Sequence, residues 1–347
     1  MQVDGLHNPC PYVFLGADGH TRLFDFRNCE HLSAHLESID EVRPSKAWYL
    51  IAAEHGASRS IQGFVDEIVD LVRAHGKGQH SLAYVRLDAE GFIALQAHGV
   101  AAASDLELMD FARMIKSSEE IACMQDAIAA CEMGLHRMQA AHVPTTSEQA
   151  LWAVLIHANA EIGGEWMETR LLSAGQRTNA WHNECGEYVI QAGDLVSFDT
   201  DLVGRHSYSV DISRAWLTSD GATSDVQRQI YALAHGKVHH DAAELLPGRL
   251  FSDVARSAYQ LPPRFVPRMN RAIAHDFGLC NEYPLIVDRE FAAEAYDGQL
   301  MGGMVLCVES YVGAPGGTIG VKLEEQVVVK SQGAQAIFGF PFEARLM

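Results

Sequence analysis

No apolar run in this chain approaches the roughly 20 residues needed to span a bilayer, so a helical membrane segment is excluded. The first residues, MQVDGLHNPC, lack a basic stretch followed by an apolar one, and no secretory signal peptide is expected. Basic residues are scarce: 26 Lys and Arg stand against 45 Asp and Glu, for a formal net charge of -19. Such a surface repels phosphate backbones and anionic lipid, which argues against nucleic acid and membrane as partners. No Cys-x-x-Cys pair occurs. The seven cysteines, Cys10, Cys29, Cys123, Cys131, Cys185, Cys280 and Cys307, are odd in number and scattered. They read as reduced thiols, which points to the cytoplasm. Cys123 and Cys131 lie eight apart on one helical pattern and read as core. Internal repeats and low-complexity tracts are also lacking.

What is present suits two domains. The chain has 347 residues, too many for one compact core, and 48% of them are hydrophobic. Residues 11–26, PYVFLGADGHTRLFDF, read as two strands around an Ala-Asp-Gly turn. KAWYLIAA and SLAYVRL read as buried strands. Between them Ile61, Phe64, Ile68 and Val72 recur at helical spacing. This αβ mixture makes a small first domain, residues 1–112. A helix is expected after Ser117 or Ser118, with Glu119 and Glu120 in its first turn and Ile121, Met124, Ile128 and Leu135 as its apolar stripe. A second helix follows a cap at Thr146 or Ser147. From residue 185 strand patterns dominate, in EYVIQAGDLVSFDTDLVG, YSVDISRAWL, MVLCVESYVG and GVKLEEQVVVK, with a helical stretch VQRQIYALAHGKVHHDAAELL among them. Helices followed by antiparallel strands give an α+β class for residues 113–347.

Four of those strands carry acids where acids are costly. Asp199 and Asp201 follow Leu195, Val196 and Phe198; Asp211 sits between Val210 and Ile212; Glu309 follows Val308; Glu324 or Glu325 sits between Leu323 and Val327. Buried carboxylates require partners or a metal. Residues two apart on a strand share a face, so Asp199 and Asp201 can enter one cavity. Four strands of one domain that each carry such acids point to a metal centre. His275, in RAIAHDFGLCNEYP, lies in a loop shaped by Gly278 and Pro284. Arg214 is expected to pair with an acid near the centre. His206, His239 and His240 read as exposed or helical residues without ligand partners.

These segments resemble the pita-bread metallopeptidase family, which includes methionine aminopeptidase, aminopeptidase P, prolidase and creatinase. The resemblance runs from about residue 113 to the end. It rests on R-M-I-K-S-S-E-E-I, on His182 to Asp199, and on D-I-S-R, H-D-F-G-L, V-E-S-Y and V-K-L-E-E-Q-V in order. It implies a two-metal centre on Asp211, His275, Glu309 and Glu324, with Glu325 beside it. It also implies a homodimer whose first domain, here short, completes the partner's site. Family peptidases have their two aspartates eleven apart; here Asp211 is twelve from Asp199 and ten from Asp201. Asp199-Thr200-Asp201 resembles the dimethylsulfoniopropionate (DMSP) lyase branch, in which both aspartates sit at the metals, as do S-A-G-Q-R-T-N and the V-E-S-Y-V-G-A-P-G-G-T-I-G tail. That branch implies iron, and the oxygen-rich donor set suits iron(II) or manganese(II); zinc and cobalt are alternatives.

Two departures qualify the lyase resemblance. In that branch an aspartate six positions after the metal histidine acts as base, and a tyrosine precedes the histidine; here those positions hold Asn281 and Asn270. Glu282 and Asp276 become the candidate bases. His182 matches the peptidases' substrate-binding histidine and would steady an oxyanion while Glu309 shuttles a proton. Trp181, Tyr208 and Tyr283, with Asn281, are candidate substrate contacts, since a sulfonium is attracted to aromatic faces. The expected function is thus DMSP β-elimination on a small carboxylate, with Xaa-Pro dipeptide hydrolysis second. A metal-free binding module, the third reading, would be marked by lost ligands, and no ligand position is lost.

Overall fold

The computed structural model describes residues 11–49, 53, 56–141, 145–218 and 223–347. It divides the chain into two compact units, Met1–Met109 and Asp110–Met347. Cys10 and the N-terminal decapeptide lie outside the described residues.

In the first unit β1 (Tyr12–Leu15) and β2 (Thr21–Asp25) form the expected antiparallel pair. Its turn reverses through Gly19, whose φ of 92° only glycine adopts readily. Helix α1 (Glu30–Ser33) leads to β3 (Glu41–Pro44), which runs parallel to β2. Residues 45–49 carry no regular structure, contrary to the strand expected over 46–53, and 50–52 lie outside the described residues. Helix α2 (Ala57–His75) buries Phe64, Ile68 and Val72, the stripe that its periodicity required. Strands β4 (Ser81–Tyr84) and β5 (Ala101–Ser104) pair in parallel across α3 (Ala89–Ala97). Phe14, Phe24 and Leu95 close this core with α2.

Helix α4 (Leu106–Arg113) carries the chain into the second unit. Helix α5 (Ser118–Ala141) and α6 (Glu148–Glu161) follow; Ser147 caps α6 by accepting the Ala150 amide. Four strands then form one sheet: β6 (Trp166–Met167), β7 (Leu172–Ala174), β8 (Leu195–Val203) and β9 (Ser209–Leu217). Helix α7 (Asp225–Ala243) starts at a capping box in which Ser224 and Gln227 bond each other's backbones. After α8 (Phe251–Ser257), five antiparallel strands form the second sheet. They are β10 (Ala272–Phe277), β11 (Asn281–Val287), β12 (Val305–Gly313), β13 (Gly320–Lys330) and β14 (Gly333–Ala336), ordered β11-β10-β12-β13-β14. His275 therefore lies inside a strand rather than in a loop. Gly278 turns β10 into β11, and buried Ala272, Ile273 and Ala274 make that strand as apolar as its neighbours.

Strand alternation sorts the side chains. On β8, Val196, Phe198 and Leu202 pack against α5 and α6, together with Val210, Ile212 and Trp216 of β9. On β12 and β13, Leu306, Val308, Val327 and Val329 join Phe251 and Val254 of α8. The intervening positions of the four strands face the other way, and there the acids collect.

Candidate metal centre

Ladder register brings the acids together. Asp201 lies directly opposite Asp211, and Asp199 opposite Ser213, on β8 and β9. Glu309 lies opposite Glu324 on β12 and β13, and His275 on β10 is opposite Cys307, one pleat from Glu309. Strand β9 also packs against β13. Ligand-type atoms of His275, Glu309 and Glu324 come within 4.8 Å of one another, as do those of Asp199, Asp211 and Glu324. All five of these residues are buried. The imidazole Nε2 of His275 stands 3.0 Å from Glu309, 3.4 Å from Asp211 and 3.7 Å from Glu324.

Asp201 sits beside this group, its carboxylate accepting from Thr169 Oγ1 at 2.5 Å. Ser213 Oγ bonds Asp199 at 2.6 Å and Glu324 at 2.9 Å. Asn270 Nδ2 donates to Glu309. Glu325, on the opposite face of β13, is paired with buried Arg214, whose guanidinium also donates to the Phe340 carbonyl. Of the two, Glu324 faces the acid cluster and Glu325 faces Arg214.

Sequence reasoning missed Lys322. Two residues before Glu324 on the same strand, it enters the acid cluster. Its Nζ lies 2.8 Å from Glu324, 3.1 Å from Glu309 and 3.5 Å from Asp199. The period-2 rule that placed Glu324 would have placed it too. With His275 it sets two cationic groups against five carboxylates. Burial, only partly offset by Lys322, pushes the Asp199 carboxyl well above its ordinary range; burial and the neighbouring acids do the same to Asp211. Burial pulls His275 down, but Glu309 and Glu324 outweigh it and hold the imidazole well above the usual histidine range. One carboxylate oxygen, Oε1 of fully buried Glu324, has no hydrogen-bond partner. A surplus of buried acids over buried cations and an orphaned acceptor are what a divalent cation relieves. The donor set therefore fits metal: carboxylates and one imidazole, with the histidine losing its proton on binding.

The two candidate bases are occupied. Asp276 and Glu282 lie opposite each other on β10 and β11, and buried Lys116 sits between them, donating to Asp276 and at 2.9 Å to Glu282. Arg113 adds a contact to Glu282 at 3.4 Å. The pairing has a plain cause: two facing acids in a sheet interior need a counter-ion. The Tyr208 hydroxyl donates to Glu120 at 2.9 Å, and its ring packs on the cluster around Met124.

Tyr283 and Asn281 do line a cavity of about 510 Å³ that also borders Asn270, His275, Glu282 and Glu309. The Tyr283 ring stacks on Tyr296 at 5.3 Å. Trp181 lies on another side, its ring 5.2 Å from Lys322 Nζ and 5.8 Å from Tyr311. Next to it, His182 is held below the usual histidine range by burial and by Lys322. No helix among the described residues is long and apolar enough to cross a membrane.

Residues 122–331 match metallopeptidase family M24. The chain is 35% identical, over its whole length and 79% of the relative's, to the dimethylsulfoniopropionate lyase DddP of Roseovarius nubinhibens. Its fold is similar to that of an Xaa-Pro dipeptidase from Bacillus anthracis, at a TM-score of 0.77, 21% identity and coverage of 96% of this chain and 88% of that one. Prolidase from Pyrococcus furiosus gives 0.76 at 18% identity, over 95% and 90%. The fold is thus the α+β pita-bread fold, and the chain belongs to metallopeptidase family M24, a family of metal-dependent enzymes.

Proposed function

We propose that the chain is a metal-dependent carbon–sulfur lyase that eliminates dimethyl sulfide from DMSP, leaving acrylate. The observation that carries this reading is the 35% identity with a DMSP lyase across the entire chain. Asp199, Asp201, Asp211, His275, Glu309 and Glu324 would hold two divalent ions, iron first, with manganese, zinc or cobalt as other occupants. Bound there, the ions supply Lewis acidity toward a substrate oxygen.

The residues around the centre then divide the work. Tyr283, backed by Tyr296, offers a ring face to the sulfonium. Asn270 holds Glu309 in place. Asn281 and Trp181 border the substrate's space. With Asp276 and Glu282 engaged by Lys116, neutral His182 is the group free to accept the α-proton. The C–H electron pair becomes the double bond, the C–S pair leaves with sulfur, and the proton passes from His182 to solvent.

A specific feature favours a second reading, hydrolysis of an Xaa-Pro dipeptide. The cavity wall presents amides, Asn270 and Asn281, and of its lining acids Glu282 is salt-bridged to Lys116, Asp110 to Arg113, and Glu309 belongs to the acid cluster. Hydrolysis needs no carboxylate there: Glu309 shuttles the proton and His182 steadies the oxyanion. In either reading the ligand is a small carboxylate or short peptide, and the enzyme is a cytoplasmic homodimer. The test is to load the protein with iron(II) or manganese(II), add DMSP and measure headspace dimethyl sulfide, with Xaa-Pro dipeptides in parallel. Gas without cleavage is expected. Cleavage without gas reverses the order, and neither product sinks both readings.

A further inference from the structure

One more ligand-type group faces the acid cluster. Cys307 is fully buried on β12, two residues before Glu309 and therefore on the same face. Its sulfur, a ring nitrogen of His275 and a carboxylate oxygen of Asp211 lie within 4.8 Å of one another. The ladder sets His275, Cys307 and Gln326 in a single row across β10, β12 and β13. Gln326 supplies the second observation. It is fully buried, and neither its amide oxygen nor its amide nitrogen has a hydrogen-bond partner. Buried amides are almost always satisfied, yet this one, in a row with Cys307 and on the cluster's face, is bonded to nothing, the thiol included, and a thiolate is the stronger acceptor.

We propose that Cys307 is a thiolate ligand to the cation that His275 and Asp211 would hold, and that the Gln326 amide donates to its sulfur. The inference rests on the metal-centre reading above. On binding, the S–H bond breaks, the proton leaves to solvent and a sulfur–metal bond forms, with no change of oxidation state. One sulfur donor in an otherwise oxygen-rich set moves its preference from manganese toward iron(II), cobalt and zinc. Gln326 is then a positioning residue, orienting the ligand as outer-sphere hydrogen bonds do.

The full chain, stripped by chelation and reloaded with zinc, is assayed for bound metal by elemental analysis and then by X-ray absorption at the zinc edge. The expected spectrum has a sulfur scatterer at about 2.3 Å beside nitrogen and oxygen at about 2.0–2.2 Å. Cys307→Ser should retain zinc and lose the sulfur shell. Gln326→Leu should keep the shell and weaken zinc affinity by about 10–100-fold, read by chelator competition. Bound zinc with only nitrogen and oxygen neighbours in the unsubstituted protein overturns the proposal and leaves the metal centre standing. A sulfur shell that persists in Cys307→Ser also overturns it. Absence of bound zinc overturns both the proposal and the reading beneath it. If Cys307→Ser fails to fold, the unsubstituted spectrum decides alone, and sulfur-to-cobalt charge-transfer absorption of the cobalt form checks it independently.

Discussion

Two buried acid groups share the five-stranded sheet, the second drawing three of its acids from β8 and β9 of the other sheet, and they are built differently. Around Lys116, two carboxylates, Asp276 and Glu282, share one ammonium and gain Arg113 at the edge. Around Lys322 and His275, five carboxylates meet two cationic groups, Lys322 beside Asp199, Glu309 and Glu324 and His275 beside Asp211, Glu309 and Glu324. The first group is close to balanced and braces the β10–β11 hairpin. The second has more acids than cations, at a depth where an unpaired charge costs several kcal/mol, and in the metal-free protein Asp199 and Asp211 are pushed toward their protonated forms. A buried acid is therefore a weak sign of function, and a surplus of buried acids over buried cations is a stronger one.

Removing ligands should break the second group's function most. His275→Ala or Glu324→Gln should abolish bound metal, and turnover should fall by more than the roughly 100-fold that outer-sphere changes cause; elemental analysis and the headspace assay check both. The lysines should then separate the groups. Lys116→Met leaves two facing acids unpaired and should destabilise the fold by about 3–5 kcal/mol, whether or not metal is present. Lys322→Met should destabilise the metal-free protein and much less the loaded one, since cations replace its charge. Denaturant titration with and without zinc reads the difference; equal losses in both states would erase the distinction.

Acid titration sharpens it further. Burial, only partly countered by Lys116, raises the Asp276 carboxyl from 3.8 to about 7. Between those values the folded state binds more protons than the unfolded state, so stability falls as pH rises from about 4 to about 7. The raised Asp199 and Asp211 give the metal-free protein further loss in the same direction. Loading with metal should remove their part and leave that of Asp276, which Asp276→Asn should abolish; a loaded protein with a flat profile would contradict this. The smallest effect expected is a control outside both groups. Ser224→Ala removes the cap of α7 and should cost about 1 kcal/mol with turnover unchanged.

Much of this was legible beforehand for one reason: strands of period 2 make any acid among alternating apolar residues conspicuous. Asp199, Asp201, Asp211, Glu309 and Glu324 stood out that way. His275 did not, because three apolar residues before a glycine and a proline read as well for a loop as for a strand. Lys322 was overlooked although the same alternation placed it. Lys116 gave no such signal, since its partners lie 160 and 166 residues away and nothing local to it is apolar enough to announce burial.

The chain's own order of residues determined the α+β class, the helix caps, and which strand face each carboxylate takes, because these follow from local periodicity and short-range hydrogen bonds. Only the tertiary structure decided which charges meet. It gave Asp276 and Glu282 to Lys116, set Arg214 on Glu325, and put Lys322, Cys307 and unpartnered Gln326 beside the five acids. Charge pairing at depth depends on distances between strands far apart in sequence, and no local pattern encodes those distances.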